Sequence, residues 1–253
     1  MRPNDYHTHS EFSDGSEMTA MVEAAERVGL AGIGFADHCI VFEDDFGRRD
    51  RFDLVETYER RRERIDEVRE STDVDVFDAV EVSYDPDHEV ATRSFLREAD
   101  FDYAIGSVHF TADFDLTKTA PFVDLAEAER RAVVDDYFDR QVAMVESGLF
   151  DVVGHLDLTE RVDPLRGLAS EDHYRRVVEA VVDSDAVPEI NAGRAFGDYG
   201  SVHPNPAFLH AFREATVAFV TGSDSHRPAE VEHRNPYLTG FVEGSGVELA
   251  SLP

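Results

Sequence analysis

The strongest constraint on this chain is a rhythm. Seven short apolar runs, PNDYH, AGIGFAD, VDVFDAVEV, FDYAIGSV, FDVVGHL, AVPEIN and TVAFVTG, recur along it, each about the length of a strand. Between them lie longer stretches with helical spacing: EMTAMVEAAERVG, FDLVETYERRRERIDEVRE, DHEVATRSFLREA, AEAERRAVVDDYFDRQVAMVESG, SEDHYRRVVEAVVDSD and NPAFLHAFREA. Several open on an Asp, Ser or Asn cap, and two run into a glycine, Gly29 and Gly148, that can close the last turn. Strand and helix in strict alternation predict an α/β fold of parallel strands joined by crossover helices. No Gly/Ser/Pro linker, internal repeat or low-complexity segment interrupts the pattern, so residues 1–253 are expected to form a single domain with a sizeable core. Residues 40–51, 111–124 and 159–168 read as loops, the first of them as the best candidate to cover a site.

Parallel sheets and barrels build their sites where strands end. The seven predicted strands end in His7 and His9; Asp37 and His38; Glu81; His109; His155; Glu189 and Asn191; Asp224 and His226. Six of the eleven histidines thus fall on one rim, which packing alone does not account for; His88, His173, His203, His210 and His233 read as ordinary surface or packing residues. Six imidazoles with Asp14, Glu81 and Asp224 are too many for one catalytic metal, which takes three or four protein ligands, and fit two or three ions. A carboxylate such as Glu81 can bridge two ions about 3.5 to 4 Å apart, a spacing suited to displacement at phosphorus. Nitrogen and oxygen donors without thiolate suit zinc, iron or manganese. Cys39, beside His38, reads as structural or incidental, because thiolate ligands come in groups.

Composition narrows the partners. The chain carries 54 acidic and 24 basic residues, a net charge of -30, and Lys118 is the single lysine. The carboxylates are dispersed along the helical patterns and therefore coat a folded surface, as in proteins of salt-accumulating microbes such as haloarchaea, where salt screens the repulsion. Such a surface repels phosphate backbones and anionic lipid, so no long nucleic acid and no membrane partner is expected, and a small or locally steered ligand stays open. With no signal-type apolar run, no stretch of about 18 apolar residues and only one cysteine, the protein is expected in the cytoplasm.

HTHSEFSDG, GFADH, the glutamate of AVEVSY, IGSVHF, VGHLDL and GSDSHRP, in this order, resemble the PHP (polymerase and histidinol phosphatase) metallohydrolase superfamily over nearly the whole chain. EVSYDPDHEVATRSFLREADFDYAIGSVHF, HLDL, EINAGR and SDSHRPAEV look most like its histidinol-phosphate phosphatases. The resemblance implies a distorted seven-stranded (β/α)7 TIM-like barrel. It implies one metal held by His7, His9, Glu81 and Asp224, a second by Glu81, His109 and His155, and a third by Asp14, His38 and His226. A metal-bridging hydroxide would then attack the phosphorus of L-histidinol phosphate in histidine biosynthesis, with no protein nucleophile. Arg161 and Arg194, just beyond rim strands, suit a phosphate clamp through their planar forks; a surface ion pair is the other reading of Arg194. Asp14 or His226 is expected to protonate the leaving alkoxide. Three departures fall on the expected substrate shell: Thr159 and Glu160 intervene between HLDL and the arginine, Ser83 stands where an acidic residue is frequent, and Arg194 lies close to Asn191. The competing readings are a phosphoesterase for nucleotides or other small phosphoesters, a metal-dependent amide or ester hydrolase, and a metal-binding scaffold without activity.

Overall fold

All seven runs form strands: β1 (Asn4–Thr8), β2 (Gly32–Cys39), β3 (Asp75–Ser83), β4 (Tyr103–Ser107), β5 (Val152–Val153), β6 (Val187–Asn191) and β7 (Val220–Gly222). The computed structural model describes residues 3–43 and 54–252. Every neighbouring pair is parallel and the strand order follows the chain. The sheet curls back on itself: Thr8 bridges Ser225, the His9 amide donates to the Ser225 carbonyl at 2.9 Å, and the Asp224 amide donates to the His7 carbonyl at 2.7 Å. The result is a seven-stranded barrel of the expected (β/α) type. Helices α1 (Met18–Val28), α2 (Leu54–Arg69), α3 (Glu89–Ala99), α4 (Glu127–Glu146), α5 (Glu171–Val182) and α6 (Pro206–Glu214) make the crossovers, and α7 (Pro228–Ser245) follows the last strand.

Side chains alternate between the helical layer and the interior, as the strand period requires. On β2, Ile33 and Phe35 join Met18, Met21, Ile65 and Val68 of α1 and α2. Ala36 instead joins Tyr6, Ala79, Tyr103, Ile105, Val152 and Val220, one interior cluster drawn from six strands. The Tyr103 hydroxyl donates to the Tyr6 carbonyl at 2.6 Å and the Tyr6 hydroxyl accepts from Asn4 Nδ2 at 2.8 Å, so both polar tips of this floor are satisfied.

One irregularity in β1 determines what stands above that floor. Asp5 pairs with Ile33 and Thr8 with Phe35, three residues against two, which is a bulge. Below it Asp5 looks outward and accepts from Asn235 Nδ2 of α7 at 2.8 Å. Beyond it the phase is reversed, and His7 points inward like its neighbour Tyr6.

Helix α7 is absent from the sequence expectation. Its pattern is interrupted by Pro236, Gly240 and Gly244, and only Val231, Asn235 and Leu238 are buried. Pro228 starts it, where a missing N–H costs nothing, and Gly246 at φ 66° ends it. Of the expected loops, residues 44–51 of the first lie outside the described residues, and the part before them forms a 3-10 turn at Val41–Glu43. The other two carry short 3-10 turns at Ala120–Phe122 and Leu158–Arg161. Cys39 is buried. Among the described residues no helix is long and apolar enough to cross a membrane.

Candidate metal centre

Above the apolar floor the barrel interior turns polar. Glu81, near the end of β3 and 1% exposed, stands at the centre. Its Oε2 lies 2.5 Å from His38 Nδ1 and 3.6 Å from His7 Nε2; its Oε1 lies 2.9 Å from His155 Nε2 and 3.4 Å from His109 Nε2. Asp224 Oδ1 lies 3.2 Å from His9 Nε2 and 3.8 Å from His226 Nδ1, and Asp14 Oδ1 lies 3.1 Å from His226 Nε2. Three donor groups result: His7, His9 and Asp224; His38, Glu81 and His109; and His9, Asp14, His38 and His226. His155 meets the second group through His109, with the two Nε2 atoms 3.1 Å apart.

These groups satisfy one another only in part, through His9 Nε2 with Asp224 Oδ1 and His155 Nε2 with Glu81 Oε1. His7 Nε2, His9 Nδ1, His38 Nδ1, Glu81 Oε2 and His155 Nδ1 are buried and have no hydrogen-bond partner. A buried polar atom left unpaired costs about 1–3 kcal/mol, so a cluster of them in a folded interior needs another partner. Divalent cations fit this donor set: imidazole nitrogens and carboxylate oxygens converge within ligand reach, and no thiolate is among them.

The protonation states agree. Burial pushes the His9 imidazole down to about 3, helped by the positive fields of His226 and His38. Burial likewise takes His109 down to about 4, against the pull of Glu81. Burial opposes ionisation of Glu81, but His109, His38 and His7 hold it well below the usual carboxylate range. Asp224 is held low against its burial by the His9 hydrogen bond and the His7 charge. Neutral imidazole and ionised carboxylate are the forms in which these side chains donate to a metal. His7 and His226 go the other way, raised despite burial by Glu189 and Glu81 in one case and by Asp14 and Asp224 in the other.

A supporting shell orients the donors. Glu189, from β6, accepts from His7 Nδ1 at 2.7 Å and from the His155 amide at 3.0 Å. That leaves His7 Nε2 aimed at Glu81. Gly222 of β7 is required for this, since a Cβ there would stand 1.8 Å from Glu189 Oε1. Ser83 Oγ lies 2.8 Å from His109 Nδ1, and Ser107 Oγ donates to Glu81 Oε1 at 2.6 Å. Asp224 adopts φ 51°, a left-handed conformation that few non-glycine residues take. Arg234 of α7 fixes it by donating to the Asp224 carbonyl at 2.6 Å.

The centre opens into a cavity of about 470 Å³. Asp14, His38, Glu81, His109, His155, Asp224 and His226 reach it, and so do both Arg161 and Arg194. Thr117, Arg227, Glu230 and Arg234 also line it, and none of these was singled out in the sequence. Four arginines on one cavity wall stand out in a chain of net charge -30. Of the two residues intervening after HLDL, Glu160 turns away to accept from the Gly167 amide at 3.1 Å, while Arg161 enters the cavity. Four of the five remaining histidines are accounted for locally: His88 meets Asp85, His173 meets Asp135, His210 meets Glu214 on the surface, and His233 is exposed. The fifth, His203, is buried against Asp157. A larger groove of about 930 Å³ lies at the opposite end of the barrel, and none of the three donor groups touches it.

Comparison with known proteins agrees with this geometry. The chain is 26% identical over 238 residues to a Deinococcus radiodurans protein named "Probable histidinol-phosphatase", covering 91% of this chain and 88% of that one. It is 25% identical over 239 residues to the histidinol-phosphatase of Lactococcus lactis, covering 89% and 85%. The solved Lactococcus lactis histidinol phosphate phosphatase, in complex with zinc, L-histidinol and phosphate, shares the fold with a TM-score of 0.73 at 19% identity, over 99% of this chain and 97% of that one. The sequence pattern of the PHP domain matches residues 5–192, which include every rim residue from His7 to Asn191. The barrel, the histidine-rich rim and this match together place the chain in the PHP domain family.

Proposed function

We propose that this protein is a metal-dependent phosphomonoesterase that hydrolyses L-histidinol phosphate to L-histidinol and phosphate. The observation that carries the reading is the convergence of buried, unsatisfied imidazole and carboxylate donors at the base of a cavity walled by arginines. Its two curated relatives bear the histidinol-phosphatase name, and the Lactococcus lactis structure holds the two products of that reaction with zinc. We assign His7, His9, Glu81, His109, His155 and Asp224 as ligands of two divalent ions, zinc, manganese or iron, and Asp14, His38 and His226 as ligands of a third where three are bound.

Ions held by these residues would lower the pKa of a bound water and neutralise charge on the phosphoryl oxygens. The chain does the rest. Arg161 and Arg194 bind the phosphoryl group through bidentate hydrogen bonds and set its orientation. Glu189 and Ser83 keep the His7 and His109 rings in place through Nδ1. Asp14 and His226, 3.1 Å apart at the cavity lip, are the pair assigned to deliver a proton to the leaving alkoxide. That role requires the pair to be free of metal, so a content of two ions per chain supports it and a content of three removes it.

The test is phosphate release by the metal-loaded protein in molar potassium chloride from L-histidinol phosphate, AMP, a phosphodiester and an aryl phosphate. A clear preference for L-histidinol phosphate is expected. Equal or better turnover of the others would keep the chemistry and discard the substrate. That second reading has one observation in its favour: Ser83 is engaged by His109 and offers no carboxylate to a cationic substrate.

A further inference from the structure

We infer that His203 and Asp157 form a positioning pair that sets the spacing of the two phosphate-binding arginines, an inference that rests on the phosphatase reading above. His203 is 1% exposed and Asp157 fully buried. The His203 Nδ1–H donates to Asp157 Oδ1 at 2.6 Å, and the other carboxylate oxygen accepts from the Asn205 amide at 2.7 Å. This buried imidazole–carboxylate pair belongs to none of the three donor groups and has no part in the centre described so far.

Its place in the fold supplies the role. Asp157 lies in the segment after β5, four residues before Arg161, at the entrance to the 3-10 turn that carries it. His203 ends the segment after β6: its amide and carbonyl pair with those of Asn191, both bonds 2.9 Å, and close a loop containing Arg194. Inside that loop the Gly197 and Gly200 amides both donate to the Arg194 carbonyl. The pair therefore ties the Arg161 turn to the base of the Arg194 loop.

A second strut runs beside it. The Tyr199 ring stacks on His203 with centroids 4.8 Å apart and planes at 17°. The Arg166 guanidinium lies 5.6 Å from the same ring and donates through Nε to the Glu160 carbonyl at 2.7 Å, one residue from Arg161. Arg194 itself makes no side-chain hydrogen bond or ion pair with any described residue, so its direction depends on how its loop is held. A phosphoryl group gripped by two forks needs both at fixed separation, and displacement of about 1 Å far from the chemistry is enough to weaken such a grip.

The experiment measures KM and kcat for an aryl phosphate, the inhibition constant of inorganic phosphate and the bound-metal content of the metal-loaded protein. H203A should raise KM and the phosphate inhibition constant about tenfold, while kcat stays within about twofold and metal content is unchanged. H203N, which keeps a side-chain N–H for Asp157, should restore part of the loss. Added to an R161A/R194A background, H203A should change KM less than about twofold, because its effect passes through the arginines. The inference is overturned if H203A binds phosphate like the parent, loses metal and kcat together, or costs the same tenfold without the arginines. A parent that hydrolyses no phosphomonoester overturns the phosphatase reading, and this inference with it.

Discussion

Two groups of charged side chains are buried on opposite faces of β2, and they differ in how they are satisfied. On the helical face, Arg61 of α2 is fully buried. It donates through Nε to Asp37 at 2.7 Å, through Nη1 to Asp78, and through Nη2 to the Phe35 and Ala79 carbonyls. Asp37 also accepts from the Ser10 amide and hydroxyl, 2.6 Å each, and from the Ser13 hydroxyl at 2.7 Å. No side-chain atom of Arg61, Asp37 or Asp78 is left unpaired. On the interior face, one residue away, His38 belongs to a group in which His7 Nε2, His9 Nδ1, His38 Nδ1, Glu81 Oε2 and His155 Nδ1 have no hydrogen-bond partner. Burial of charge alone therefore does not mark a site. A site is marked where several unsatisfied buried imidazole and carboxylate atoms converge, because their missing partner comes from outside.

Substitutions can break the contrast. R61M strands Asp37 and Asp78 in the interior and is expected to destabilise the fold by about 3–5 kcal/mol, read as a fall in the denaturant midpoint. R61M/D37N/D78N removes the stranded charges and should recover much of it. In the other group, E81Q takes away the central donor and should lower kcat/KM at least a thousandfold, about 4 kcal/mol, while the fold survives. A chelator should lower the melting temperature of the parent and leave that of E81Q nearly unchanged. A parent whose melting temperature ignores chelation would remove the basis of the contrast.

Protons should separate the two groups by pH. Burial depresses His9 to about 3 in the fold, against 6.5 in the unfolded chain. Its contribution is thus complete above pH 6.5 and is lost as pH falls from there toward the folded value. In chelated protein, the stability of the parent relative to H9N should shrink between pH 6.5 and 4. Asp37 is opposed by its burial but is held below its usual 3.8 by Arg61, so its contribution persists to about pH 4 and is lost only beneath it. Relative to D37N, the parent should show no change over the His9 window. The smallest effect is expected from salt. Molar potassium chloride should raise the melting temperature by screening the dispersed acidic surface, and leave the Arg61 network untouched because buried pairs are screened far less.

The same contrast explains what was legible in the chain. The rim histidines could be read because each follows an apolar run, and strand ends in a parallel barrel share one edge. Arg61 could not. It sits in ERRRER, where Arg60, Arg61, Arg62 and Arg64 all read as a solvated face, and Asp37 and Asp78 had to be aligned in three dimensions before one of them was drawn inside. His203 was passed over for a similar reason, since nothing in its neighbourhood along the chain announces Asp157, 46 residues earlier.

Local periodicity and polar residues at run ends were enough to determine seven strands, six crossover helices and the identity of the donor-bearing rim. Tertiary structure alone decided the bulge that turns His7 inward beside Tyr6, the formation of α7 across its internal proline, and the entry of Arg227, Glu230 and Arg234 into the cavity. Periodicity is a property of neighbours in sequence, whereas bulge, barrel closure and buried pairing depend on contacts between segments tens to hundreds of residues apart.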